Sequence, residues 1–108
     1  MKLNLSTVSV CMFAALGSIP IAAAQDVSFP PEQIAAGASL FSRNCSPCHG
    51  TRMANPEGAA DLRKFPRDDR ERFVATVNRG KNQMPPWGDL LKPEEIEALW
   101  AYVASGGG

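Results

Sequence analysis

Cysteines 45 and 48 stand three positions apart with a histidine directly after them, and this run, Cys45-Ser46-Pro47-Cys48-His49, constrains the chain more than any other feature. The constraint comes from size. The first residues read as an export signal: Lys2 gives a basic start, an apolar stretch runs from Leu5 to Ile21, and Pro20 breaks it before Ala22-Ala23-Ala24. Cleavage after Ala24 is expected to leave one small domain, residues 25–108, and to remove Cys11 with the signal. A domain of that size buries a modest share of its surface and ordinarily needs a staple. A disulfide between Cys45 and Cys48 closes too short a loop to act as one. The stabilising element is therefore expected to be a group bound by the pair.

An uncleaved anchor is the weaker reading of the leader. A spanning helix wants about 20 mostly apolar residues, and Ser6, Thr7, Ser9, Gly17, Ser18 and Pro20 interrupt this one. No later stretch is apolar enough to cross a membrane, so no stable insertion is expected after cleavage. Eleven basic residues balance eleven acidic ones. That balance argues against a nucleic-acid partner, which would call for a clear basic excess.

The five-residue run has the spacing of a haem c attachment site. Two thiols one helical turn apart can form thioethers with the vinyl groups along one side of a porphyrin. The next residue, His49, then lies under the ring and can bind iron. Zinc would need four ligands, yet His49 is the only histidine and no third cysteine remains after cleavage. A thiol–disulfide oxidoreductase would place C-x-x-C beside a βαβ pattern, and no strand precedes Cys45. For the sixth iron position the residues to weigh are Met53, Met84 and the lysines. Met53 is tethered close to His49 and reads as core filler. Met84 has the reach to pass round the ring, and Pro85, Pro86 and Trp87 hold it. Histidine with methionine is a known axial pairing, so Met84 is the expected partner of His49.

The remaining pattern is helical. Pro31 suits a helix start, and Ile34, Gly37, Ala38 and Phe41 share one face of a helix predicted to about Arg43. Gly37 on that face predicts close approach by another helix, since glycine otherwise costs about 1 kcal/mol there. From Gly50 to Pro66 periodicity is lost, as wrapping a flat group would require. A second helix is predicted from about Asp69 to Asn78, capped by Asp68, with Phe73, Val74 and Val77 inward and Gly80 as its stop. Residues 81–88 must be irregular because of the paired prolines. A last helix starts at Pro93 and turns Ile96, Leu99, Trp100 and Val103 inward, with Glu94 and Glu95 at its positive end. No segment alternates as a strand.

The chain resembles the small class I cytochromes c over essentially all of residues 25–108. The resemblance is carried by Gly37 and Phe41, by Cys45 to Gly50, by Leu62, by Met84-Pro85-Pro86, and by Leu99 and Tyr102. It implies an all-α cytochrome c fold, three to four helices with long loops wrapped around one covalently attached haem. It also implies first and last helices crossing almost perpendicularly, with Gly37 and Phe41 against Leu99 and Tyr102. The runs at 80–88 and 93–103 are similar to bacterial cytochromes that accept electrons from periplasmic quinoprotein alcohol dehydrogenases. Two features depart from the family. Ala60 stands where a proline carbonyl usually accepts the imidazole N–H. Lys92 stands where Ser or Thr usually caps the last helix, at an expected cost of about 1 kcal/mol.

The resemblance implies a monomeric periplasmic carrier of single electrons, not an enzyme. Its donor would be a dehydrogenase or a respiratory complex, and its acceptor an oxidase or another cytochrome. Electrons would leave by the thioether edge near Cys48, with Met53, Ala54, Pro85 and Pro86 as rim by analogy with the family. Such encounters use small, transient patches. The competing class is a haem sensor or peroxidase-like protein in which Met84 leaves the iron readily. Arg63, Lys64, Arg67, Arg70 and Arg72, interleaved with Asp61, Asp68, Asp69 and Glu71, read as a solvated mixed-charge face. Arg63, Arg79 and Lys81 are the residues weighed for a haem propionate.

Overall fold

The computed structural model describes residues 28–54 and 58–107, with Lys2 and Gly17 in isolation. Apart from those two residues, the predicted export signal lies outside the described residues. Among the described residues four helices follow in order: α1 (Pro31–Asn44), α2 (Ser46–His49), α3 (Arg70–Arg79) and α4 (Pro93–Ala104). Among the described residues of the long loop, short 3-10 turns form at Thr51–Met53 and Leu62–Lys64, which the pattern of residues 50–66 did not foretell. Among the described residues there is no strand, and one isolated bridge joins Lys81 to Met84.

The core is the meeting of α1 with α4. Gly37 is buried, and a methyl group on it would overlap the Ala98 carbonyl and lie 2.9 Å from the Tyr102 Cβ. One turn on, the Phe41 ring sits 5.1 Å from that of Tyr102. Close approach at Gly37 is thus confirmed, against the predicted Tyr102 and also against Ala98. α4 is buried well beyond the predicted stripe, since Ala98, Ala101 and Tyr102 join Ile96, Leu99, Trp100 and Val103 inside. Such a helix is apolar nearly all round because neighbours cover it on several sides. Phe65, Phe73 and Trp100 form an aromatic cluster, with centroids 5.3 to 6.0 Å apart, that fastens the loop and α3 to α4.

The helix ends explain the remaining departures. α3 is capped by Asp69, whose side chain accepts from the Arg72 N–H, one residue later than predicted from Asp68. At α4 the missing Ser or Thr is offset in part: the Glu95 carboxylate accepts from the Lys92 N–H at 2.9 Å. That is the half of a capping box that does not need a cap hydroxyl. The last turn of α4 carries no basic residue of its own. Arg67 replaces it from the loop, donating from Nη1 to the Val103 and Ala104 carbonyls. Arg70 likewise pairs with Glu97 on α4. The charge run is therefore only partly a solvated face: several of its members tie the loop and α3 to α4.

Candidate functional site

A cavity of about 270 Å³ lies between α1, α3, α4 and the loops. It receives Phe41 and Cys45 from the end of α1, His49 from α2, and Ala60, Leu62 and Phe65 from the long loop. Phe73 and Val77 enter from α3, Met84 and Trp87 from the irregular segment, and Leu99 and Val103 from α4. Three of the four sequence-predicted residues, Cys45, His49 and Met84, are thus brought to one apolar space. The fourth, Cys48, is exposed beside it.

The His49 N–H donates to the Cys45 carbonyl at 2.9 Å, so residues 45 and 49 are one helical turn apart on the same face. The Cys48 N–H donates to the same carbonyl at 3.2 Å, and its thiol is exposed. Gly50, at φ 81°, then turns the chain away. Burial, and next the neighbouring Cys48 thiolate, push the Cys45 thiol up to about 11. It is held as the neutral thiol in this setting.

His49 is fixed by the loop. Its Nδ1 lies 3.0 Å from the Ala60 carbonyl oxygen. A carbonyl can only accept, so Nδ1 carries the proton and Nε2 keeps its lone pair for a metal. Alanine therefore serves where the family usually has proline, because the required group is the carbonyl.

Met84 is fixed by a tight corner. The Lys81 N–H donates to the Met84 carbonyl at 3.1 Å and the Met84 N–H to the Lys81 carbonyl at 2.9 Å. Gly80 precedes this corner at φ 73°, where a Cβ would press to 2.5 Å on the Met84 carbonyl and 2.9 Å on the Pro86 nitrogen. Beyond the prolines, the Trp87 N–H donates to the Val77 carbonyl at 2.8 Å and that of Gly88 to Asn78 at 3.3 Å. The segment is strapped along the end of α3.

Met53 corrects one expectation. It is fully buried, at 0 % exposed, and its methyl group packs near Gly107. The core-filler reading holds, and its place on an exposed rim does not. Pro85 and Pro86 are exposed and Ala54 is half-buried. Of the cations considered for a propionate, only Lys81 reaches the cavity wall. Arg63 donates instead to the Arg52 carbonyl at 3.1 Å. Arg72, which the sequence placed on a solvated face, also reaches the wall, as does Thr76. Both flank Phe73 and Val77 on α3, so a helical projection would have set them at the border of its apolar stripe.

The donor set and walls fit haem c: a thiol and an imidazole lone pair on one helical turn, a thioether on a braced corner, and apolar surface between. Comparison with known proteins agrees. The family described as "Cytochrome C oxidase, cbb3-type, subunit III" matches residues 32–103. Cytochrome c6 of Nostoc sp. is 35% identical over 105 residues, covering 93% of this chain and 87% of that protein. The chain belongs to the class I cytochromes c. A crystal structure of cytochrome c6 from the diatom Phaeodactylum tricornutum superposes with a TM-score of 0.54 at 30% identity, covering 68% of this chain and 93% of that one. The quinohemoprotein alcohol dehydrogenase ADH IIB of Pseudomonas putida is 39% identical over 84 residues, or 75% of this chain, but the match spans 12% of that enzyme's length. Members of the family bind haem c covalently and carry electrons, so the chain is an electron-transfer protein rather than an enzyme.

Proposed function

We propose that this cytochrome carries single electrons in the periplasm on a haem held by Cys45 and Cys48, with His49 and Met84 as the iron ligands. The proposal takes residues 1–24 as a cleaved export signal. It makes the donor a periplasmic dehydrogenase of the quinoprotein alcohol dehydrogenase kind, with the electron passing on towards a terminal oxidase. The observation that carries the ligand assignment is the His49–Ala60 hydrogen bond, which leaves Nε2 as an acceptor in the cavity that Met84 also lines. The likeness to ADH IIB supports the donor, and a 33% identity over 88 residues to the cbb3-type oxidase subunit FixP of Sinorhizobium medicae supports the destination.

Bound haem supplies a one-electron ferric–ferrous couple. Every other part of the work falls to the chain. His49 and Met84 stay in place through both oxidation states, because Ala60 holds one and the Lys81 corner holds the other. Phe41, Phe73, Val77, Leu99 and Val103 keep water from the cavity, which disfavours the extra charge of the oxidised state. The Met84 sulfur, a soft ligand, favours the reduced state, and both effects raise the potential. Exposed Cys48, with Pro85 and Pro86, offers the approach for a partner.

The holoprotein should show a positive midpoint potential, a sulfur-to-iron charge-transfer band in the far red when oxidised, and slow carbon monoxide binding when reduced. It should be reduced rapidly in stopped flow by a quinoprotein alcohol dehydrogenase. A clearly negative midpoint, or rapid carbon monoxide binding at neutral pH, would move the chain to the ligand-binding class. Rapid reduction only by a respiratory complex would replace the proposed donor.

A further inference from the structure

We propose that Arg72 is the anion anchor of the cavity and holds a haem propionate, an assignment that rests on the haem reading above. Most of the lining is apolar; its polar side chains are Arg72 and Thr76, four residues apart on α3, Lys81 from the corner beyond that helix, and His49 and Cys45 of the attachment run. Arg72 is exposed, its side chain 55% accessible, and two contacts position it. The Asp69 carboxylate pairs with it, Oδ2 lying 3.3 Å from Nε. Its guanidinium carbon lies 4.6 Å from the centre of the Phe65 ring, itself part of the wall. Those contacts use Nε and the flat face of the group. No described residue accepts from Nη1 or Nη2, the fork that binds a carboxylate through two parallel hydrogen bonds.

Haem c is apolar over most of its rim and carries both carboxylates on one edge. A mostly apolar cavity with the Arg72 guanidinium on its wall favours the orientation that brings a carboxylate to that cation. Arg72 thereby sets which way round the group sits, and its permanent charge disfavours the ferric state less when a propionate neutralises it. Lys81, from beyond the other end of α3, also lines the cavity, as a point charge without the fork. The other ionisable groups on the wall are His49 and Cys45, and Asp69 stands behind Arg72.

The test compares the wild-type holoprotein with Arg72→Gln and Arg72→Lys. In Arg72→Gln the equilibrium constant for reduction should change by roughly three- to tenfold, where tenfold is about 59 mV for one electron. Its potential should also acquire a pH dependence as the unpaired propionate titrates, and Arg72→Lys should restore part of both. A merely structural role for Arg72 would alter unfolding and leave the pH profile of the potential flat. The wild-type protein gives an independent measure through carbon-13 NMR of labelled propionates. One propionate should stay ionised well below the ordinary carboxylic range. If both titrate ordinarily, the anchor is overturned even where Arg72→Gln does not fold. An unchanged potential and pH profile in haem-loaded Arg72→Gln overturns it too. A wild-type chain giving no pyridine haemochrome would instead sink the haem reading itself.

Discussion

Replacing Gly37 with alanine isolates the contact on which the cavity depends. In an open helix the change should stabilise, because alanine is favoured over glycine by about 1 kcal/mol. Here the new methyl would stand 2.7 Å from the Ala98 carbonyl carbon and 2.9 Å from the Tyr102 Cβ. Carbon atoms rest at about 3.5–4.0 Å, so α1 and α4 must part by roughly 1 Å. A gap of that size forfeits about a quarter to a half of each contact's attraction, and the Phe41–Tyr102 pair lies one turn away. Overpacking of a tight core costs about 1–3 kcal/mol. Taking the upper end, since the obstacle is backbone, and subtracting the helix gain leaves a net loss of about 2 kcal/mol. For a domain of this size that lowers the melting temperature by roughly 8–16 °C. The assay is thermal unfolding of the holoprotein followed by far-ultraviolet circular dichroism, with Ala36→Gly on the exposed side of α1 as the control. Ala36→Gly should lose about 1 kcal/mol. If Gly37→Ala melts at or above the wild-type temperature while the control falls, the close packing of the two helices is wrong.

Gly80→Ala should strain the corner that carries Met84, both at φ 73° and against the Met84 carbonyl, and weaken the far-red band of the oxidised protein; an unaltered band would show that the corner does not position the sulfur. Arg67→Ala should cost about 1–3 kcal/mol in denaturant titrations, because the last carbonyls of α4 lose a charged donor. Glu97→Gln should cost under about 1 kcal/mol, since both partners are substantially exposed. Its effect should fade in high salt, and a loss that persists there would mean the pair is better shielded than its exposure indicates.

The elements with strong periodicity and clear stops were legible in the sequence, and the parts that depend on partners far along the chain were not. α1 and α4 announced themselves through their apolar faces and leading prolines, and even the contact at Gly37 followed from an apparent misfit in helix propensity. Met53 shows where analogy outran the residues. Its own chemistry made it core filler, which the structure bears out, whereas its place on a rim came from the family and fails because the chain buries it beside Gly107. Arg67, Arg70 and Arg72 were illegible for a different reason: a charge run looks the same whether its members meet water or the ends of helices. Their partners, the α4 carbonyls, Glu97 and Phe65, are chosen only when the fold closes.

Ala60 carries this distinction into the site. Judged by residue type, it departs from the family at the position that orients the histidine, and a loss of order there was a fair expectation. The hydrogen bond to His49 needs only a carbonyl oxygen in the right place, and every residue has one. What a proline would add is a narrower choice of backbone conformations for the unfolded chain. In this chain the loop is restrained by other means. Asp61 accepts from the Arg63 N–H at 3.0 Å immediately after Ala60, Arg63 reaches back to the Arg52 carbonyl, and Phe65 stacks into the aromatic cluster with Phe73 and Trp100. The charged residues that looked like a solvated surface thus include two that brace the carbonyl under His49. Charge-neutral replacement at Asp61 and Arg63 together should loosen the imidazole, visible as broadening of its resonances in the reduced holoprotein. Sharp, unshifted resonances in that double variant would leave Ala60 holding the ring unaided.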